Sequence, residues 1–157
     1  MSAHVIRGSF CDQDARGDVL RLLPRAERAP EQPMPGGASE HELADLERRL
    51  GGPLPRDLAE WLRICKGEAI CAGGVFGARP DQDHLDIAAH LAFHPRWREL
   101  GWLPVAGDGC GNYYVFINSG QLLGKVAFVD TMSNPNTIEK IVGNNLWIFL
   151  RSLLMRG

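Results

Sequence analysis

No stretch of this 157-residue chain approaches the ~20 consecutive apolar residues that a helix needs to cross a bilayer. Residues 1–10 lack the basic start, apolar middle and small-residue cleavage site of a secretory signal, so a cytoplasmic protein is expected. Positive charge is not in excess: 17 Lys and Arg stand against 19 Asp and Glu, with a net charge of -2 and a pI near 6.2. General nucleic-acid or anionic-membrane binding would need a surplus of cations on one face, and the charge balance argues against both. Cysteine is sparse. Cys11, Cys65, Cys71 and Cys110 form no C-x-x-C pair and sit among apolar or glycine neighbours, which predicts reduced, largely buried thiols and no disulfide frame. What is present is 45% hydrophobic residues, enough to bury the core of a single domain.

Residues 1–38 differ from the rest. A short helix over residues 12–23 would align Val19, Leu22 and Leu23, but residues 29–38 carry three prolines and two glycines and read as an extended linker. The domain boundary is therefore expected near Ser39, giving an extension at 1–38 and a domain at 39–157. Ser39 and Glu42 have the spacing of a capping box, after which Leu43, Leu46 and Leu50 form an apolar stripe that Gly51 ends. A second helix follows Pro55 with Leu58, Trp61, Leu62 and Cys65 on one face, and Gly67 fits its left-handed end. Only a few residues separate the two, which predicts a helical hairpin.

A strand is expected at residues 69–76, bulged at Gly73 and Gly74, and a third helix over residues 85–93, with Pro95 ending it or opening a further turn. Residues 112–117 and 125–129 read as a hairpin around Asn118, Ser119 and Gly120, and residues 138–142 as a last strand. Asn144 or Asn145 can cap a terminal helix whose Leu146, Trp147, Phe149, Leu150, Leu153 and Leu154 form a broad apolar face. Helices first, strands in the middle and one helix at the end predict an α+β fold.

Few residues invite a chemical reading. Gly107, Asp108, Gly109, Cys110, Gly111 and Asn112 could form an anion nest, but no G-x-x-x-x-G-K-[ST] is present and the loop enters a strand, so a tight structural turn is expected. Cys110 has His84, His90 and His94 as candidate partners for a nucleophile, without a local signature. His90 and His94, at i and i+4, could share a helix face and bind a metal with Asp83 or Asp86, as in a small metal-dependent hydrolase; the spacing lacks the glutamate of H-E-x-x-H. Asp81, Asp83 and Asp86, with Glu40, Glu42 and Asp45 of the first long helix, form either a solvated surface or a face for a basic partner. Trp61, Trp97, Trp102 and Trp147 lie in apolar patterns and are expected in the core.

Leu54 and Pro55 at a helix start, followed by Leu58, Trp61, Leu62 and Gly67, resemble the L-P-x-x-Y/L-x-x-F/W-L-x-x-x-N-G signature of the SUKH superfamily, also called the SMI/KNR domain. Trp102, Leu103, Pro104, Val105 and Ala106, followed by Gly107, Asp108, Gly109, Gly111 and Asn112 and a further apolar strand, resemble its second motif. Residues 125–130 and the terminal helix fall in the expected order, so the resemblance covers about residues 39–155. It implies an α+β domain with a mixed, mostly antiparallel sheet flanked by helices, an N-terminal helical hairpin and a C-terminal helix. It also implies a non-enzymatic protein-binding role without cofactor: in bacteria, an immunity protein that neutralises a polymorphic toxin by direct binding, and in fungal relatives, regulation of cell-wall or glucan synthesis. The motif residues are architectural in that family and carry no catalytic assignment. Lys66 departs from the pattern, standing where asparagine often precedes Gly67, a change expected to alter only the cap.

Overall fold

The structure, a computed structural model, describes residues 14–28 and 34–156. Among these, six α-helices and four strands follow one another as α1 (Ala15–Leu22), α2 (Glu40–Leu50), α3 (Arg56–Leu62), α4 (Ile87–Ala92), α5 (Pro95–Leu100), β1 (Trp102–Gly107), β2 (Tyr113–Ile117), β3 (Val126–Val129), β4 (Lys140–Gly143) and α6 (Leu146–Arg156). The fold is α+β.

The strands lie in the order β1-β2-β3-β4 and every neighbouring pair is antiparallel, with a bulge in β1 between Pro104 and Ala106. Alternation along β2 divides the core. Tyr114 and Phe116 join Phe149, Leu150 and Leu153 of α6, whereas Val115 and Ile117 join Leu91 of α4 and Trp97 of α5. All four tryptophans are buried, as their patterns predict.

Local signals set the helix boundaries. The Ser39 side chain accepts from the Glu42 N–H at 3.1 Å while the Glu42 carboxylate accepts from the Ser39 N–H at 2.9 Å, and Gly51 ends α2 with φ 84°. Asn145, of the two candidate caps, accepts from the Ile148 N–H at 2.8 Å. Helix α3 ends sooner than its apolar spacing predicts, at Leu62, and Gly67 lies beyond its C-terminal cap, Arg63. Gly67 still has a positive φ of 119°, and a Cβ there would meet the Gly77 nitrogen and the Leu85 carbonyl oxygen at 3.0 Å. Lys66 does more than alter a cap: its ammonium pairs with the capping-box Glu42 at 3.0 Å.

The strand expected at residues 69–76 is not formed. Glu68 and Val75 bridge each other and Val75 bridges Ala106, but Cys71 (φ 60°) and Gly74 (φ 82°) turn the chain between them. Gly73 packs so closely on the next turn that a Cβ would lie 2.3 Å from the Gly107 carbonyl carbon. The predicted third helix is split: a 3-10 turn (Asp83–Leu85) precedes α4, whose cap is Asp86.

Helix α1 packs along α6. Ala15, Val19 and Leu23 enter the main core, and buried Asp18 accepts from buried Arg151 at 3.2 Å. The Arg28 guanidinium pairs with the buried Glu68 carboxylate. Of the proline-rich stretch, residues 34–38 are described and docked: the Ala38 N–H donates to the Leu62 carbonyl at 2.7 Å, and the Lys66 N–H to the Gly36 carbonyl at 3.0 Å. Residues 12, 13 and 29–33 of the predicted helix and linker lie outside the described residues, as does Cys11.

Candidate functional site

Asp108 answers the question of the glycine-rich turn. Its carboxylate accepts from the Cys110 N–H at 2.7 Å, the Asn112 N–H at 3.0 Å and the Asn112 side-chain amide at 3.0 Å. Gly109 and Gly111, with φ of 88° and 91°, aim those amides inward, so the anion in the nest is the turn's own aspartate. Burial pushes the Asp108 carboxyl up, but these donors outweigh it and hold it below the usual range. The Asn112 side-chain oxygen Oδ1 accepts from the Thr131 N–H at 3.0 Å, tying the turn to the loop after β3. The flanking Trp102, Pro104 and Gly107 lie within β1, all buried.

The histidines gather beside this turn, but not as expected. His90 lies in α4, whereas His94 precedes Pro95, which drives it out of helical conformation, so the two share no continuous helix face. His90 stacks on Phe76 and His94 on Trp97, each with ring centroids 3.9 Å apart, and Tyr113 meets both edge-on. His90 Nε2 lies 2.9 Å from the His84 carbonyl, which only accepts, so Nε2 carries the proton and Nδ1 accepts from the Tyr113 hydroxyl at 2.9 Å. Neither nitrogen retains a lone pair for a metal, and among the described residues no three His, Cys, Asp or Glu side chains are placed to share one. Burial lowers the pKa of His90; burial and then the charge of His90 lower that of His94; burial raises that of Tyr113.

Thiol chemistry finds little support. Burial pushes the Cys65 thiol up to about 12 and raises that of half-buried Cys71, while Cys110 is exposed, unlike the expectation for buried thiols.

The acidic residues are mostly committed within the protein. Glu40 pairs with Arg63 at 2.7 Å, Glu42 with Lys66, and Asp45 with Arg48 and Arg49 at 2.7 and 3.2 Å. Asp86 is not a surface carboxylate: it is 1% exposed and accepts from Arg49, the Arg79 N–H and the Ala89 N–H. Asp81 and Asp83 remain exposed, with Arg79 3.6 Å from Asp81. The motif residues Leu54, Pro55 and Trp61 are structural in placement, the Leu54 N–H donating to Glu47 at 2.8 Å, Pro55 preceding α3 and Trp61 lying in the core.

Beyond the turn, between the sheet and the end of α6, lies a groove of about 420 Å³ flanked by Lys140 and Arg156, which the sequence reading missed. Its only signal there is Lys140, the single charged residue of the otherwise apolar β4. The model of the SMI1 / KNR4 family (SUKH-1) matches residues 37–152, well over half of the chain, and the protein belongs to that family. No curated protein matches it. No helix among the described residues is long and apolar enough to cross a membrane.

Proposed function

We propose that the chain is a non-enzymatic protein-binding domain that serves as an immunity protein, neutralising a polymorphic toxin by occupying its active surface. Membership of the SMI1 / KNR4 family supports this reading, being consistent with an immunity or a regulatory protein. The observation that carries the preference for binding over catalysis is the internal use of the reactive groups: Asp108 is filled by its own turn, and both nitrogens of His90 are engaged. General acid–base and nucleophilic chemistry need such groups within reach of a substrate, with protons or lone pairs to exchange. Occlusion needs only a stable surface complementary to the partner. Of the acidic residues expected to face a basic partner, Asp81 and Asp83 are the contacts this reading retains.

Purification of the tagged protein from its native host tests the reading. The expected result is a stoichiometric partner ending in a cytotoxic domain, whose toxicity on expression is suppressed by this chain. An envelope-synthesis component in its place would overturn the immunity role in favour of a regulatory one.

A further inference from the structure

The two outer strands of the sheet are treated differently. The outer edge of β1 is covered: the Phe76 N–H donates to the Val105 carbonyl at 2.9 Å, and the Gly107 N–H to the Gly74 carbonyl at 3.2 Å. Nothing among the described residues pairs with the far edge of β4. Its backbone groups on that side are open to another strand.

The side chains beside that edge have a definite character. Tyr114, Phe128 and Lys140 stand across from one another in register, placing Lys140 on the face that carries α6. Together with Val142 and Arg156 they border the groove of about 420 Å³, which adjoins a second hollow of about 190 Å³ sharing Asp108, Tyr114 and Arg156. Lys140 lies over the Phe128 ring at 5.7 Å, and the Arg156 Nε donates only to the Ser152 carbonyl, at 3.4 Å. Among the described residues neither cation has a carboxylate partner, and Asp108 is filled by its own turn. On the opposite face of β4, Ile141 is 39% exposed.

We propose that the edge of β4 receives an extended segment of a protein partner as a fifth strand, acidic at the positions facing α6 and apolar at the alternate positions beside Ile141. A strand added ~4.8 Å from β4 places every second side chain on the α6 face. Carboxylates there meet Lys140 and Arg156, while backbone hydrogen bonds supply affinity that does not depend on sequence. A second copy of this strand offers Lys140 and Val142 on that face and no carboxylate, so self-pairing does not match the groove. The proposal rests on the reading of the chain as a protein-binding domain, but not on whether the partner is a toxin.

The test is a backbone-amide NMR titration of the whole protein with a synthetic peptide of alternating glutamate and valine. Shifts at residues 140–143 and 152–156 are expected. Binding should weaken by about tenfold or more when Lys140→Glu and Arg156→Glu are combined, when lysine replaces glutamate in the peptide, or when alternate peptide nitrogens are methylated. Absence of shifts at β4 with millimolar peptide, or indifference to methylation, overturns the proposal, as does a dimer formed through this edge. A natural partner that binds the double variant as tightly as the parent protein sinks this surface and leaves the proposed function standing. Peptide binding at β4 without any natural partner does the reverse.

Discussion

Arg49 of α2 holds Asp86 in a two-pronged bridge, with Nη1 2.6 Å from Oδ2 and Nη2 3.1 Å from Oδ1. The same carboxylate accepts from the Arg79 N–H at 2.9 Å and the Ala89 N–H at 3.0 Å, so one buried side chain joins α2, the segment at Arg79 and the start of α4. The bond to Asp86 is the main reason that the Arg49 pKa is raised. Asp86→Ala removes a helix cap and half of an ion pair. Because Arg49 is 30% exposed, the cost belongs at the lower end for a buried pair. A loss of about 3 kcal/mol is expected from urea unfolding, and about half of that for Asp86→Asn, which can still cap. Equal losses for the two would show that the charge, not the cap, governs the site.

The turn after β1 makes a sharper steric prediction. Gly73→Ala brings a Cβ to 2.3 Å from the Gly107 carbonyl carbon and 2.5 Å from the Gly109 nitrogen, both backbone atoms that cannot rotate away. Asp108→Ala instead removes an acceptor from three donors and is expected to cost about 2 kcal/mol. Gly73→Ala should cost more, and thermal melts of the two variants rank them. A Gly73→Ala protein as stable as the parent would place the two turns further apart than described.

Much of this was legible because its signals are local. The capping box of Ser39 and Glu42 and the left-handed Gly51 are written within a dozen residues, and the alternation of β2 lies within five. The role of Asp86 depends on an arginine 37 residues earlier, and that of Asp18 on an arginine 133 residues later, separations that no periodicity records. The misread strand at residues 69–76 has the same origin, since Gly73 serves the close approach of Gly107 and not an extended ladder. Asp83 and Asp86 look alike in a charge run, yet one is exposed and the other caps a helix in the core.

Helix α1 should behave as part of the domain and not as an appendage. Asp18→Ala removes the buried carboxylate that bridges α1 to Arg151 of α6, a change expected to cost about 2 kcal/mol. A chain beginning at residue 37 also uncovers the surface of α6 on which Val19 and Leu23 pack. Loss of cooperative unfolding in that shortened chain is the expected calorimetric result. A sharp transition at the parent temperature would instead make the boundary near Ser39 a true domain limit.

Charge reversal separates surface acids from structural ones. Asp81→Lys with Asp83→Lys should leave the unfolding free energy within about 0.5 kcal/mol of the parent while weakening capture of a basic partner. Glu42→Lys should lower stability by about 1 kcal/mol, because it breaks the capping box and sets a lysine against Lys66. Calorimetry and partner titration on the same preparations read both effects. Unchanged affinity in the Asp81 and Asp83 variant would remove those residues from the contact surface.

His90 gives the chain a defined response to pH. Burial depresses its folded pKa, while in the unfolded chain it titrates near 6.5. Above that value both states are neutral and His90 adds no pH dependence. As the pH falls below about 6.5 the unfolded chain takes up a proton that the folded one resists, so stability declines until the folded value is passed, and then levels. His94 acts in the same sense. Glu42, held low by the Ser39 N–H and Lys66, and Asp108, held low by its turn, contribute stability that is lost only as the pH falls from about 4 through their depressed folded values, so the two windows separate. Urea unfolding between pH 7.5 and 5 should therefore show declining stability. His90→Phe, which keeps a ring to stack on Phe76, should flatten part of that decline. An identical slope in parent and variant would mean that His90 accepts its proton in the folded protein as readily as in the unfolded chain.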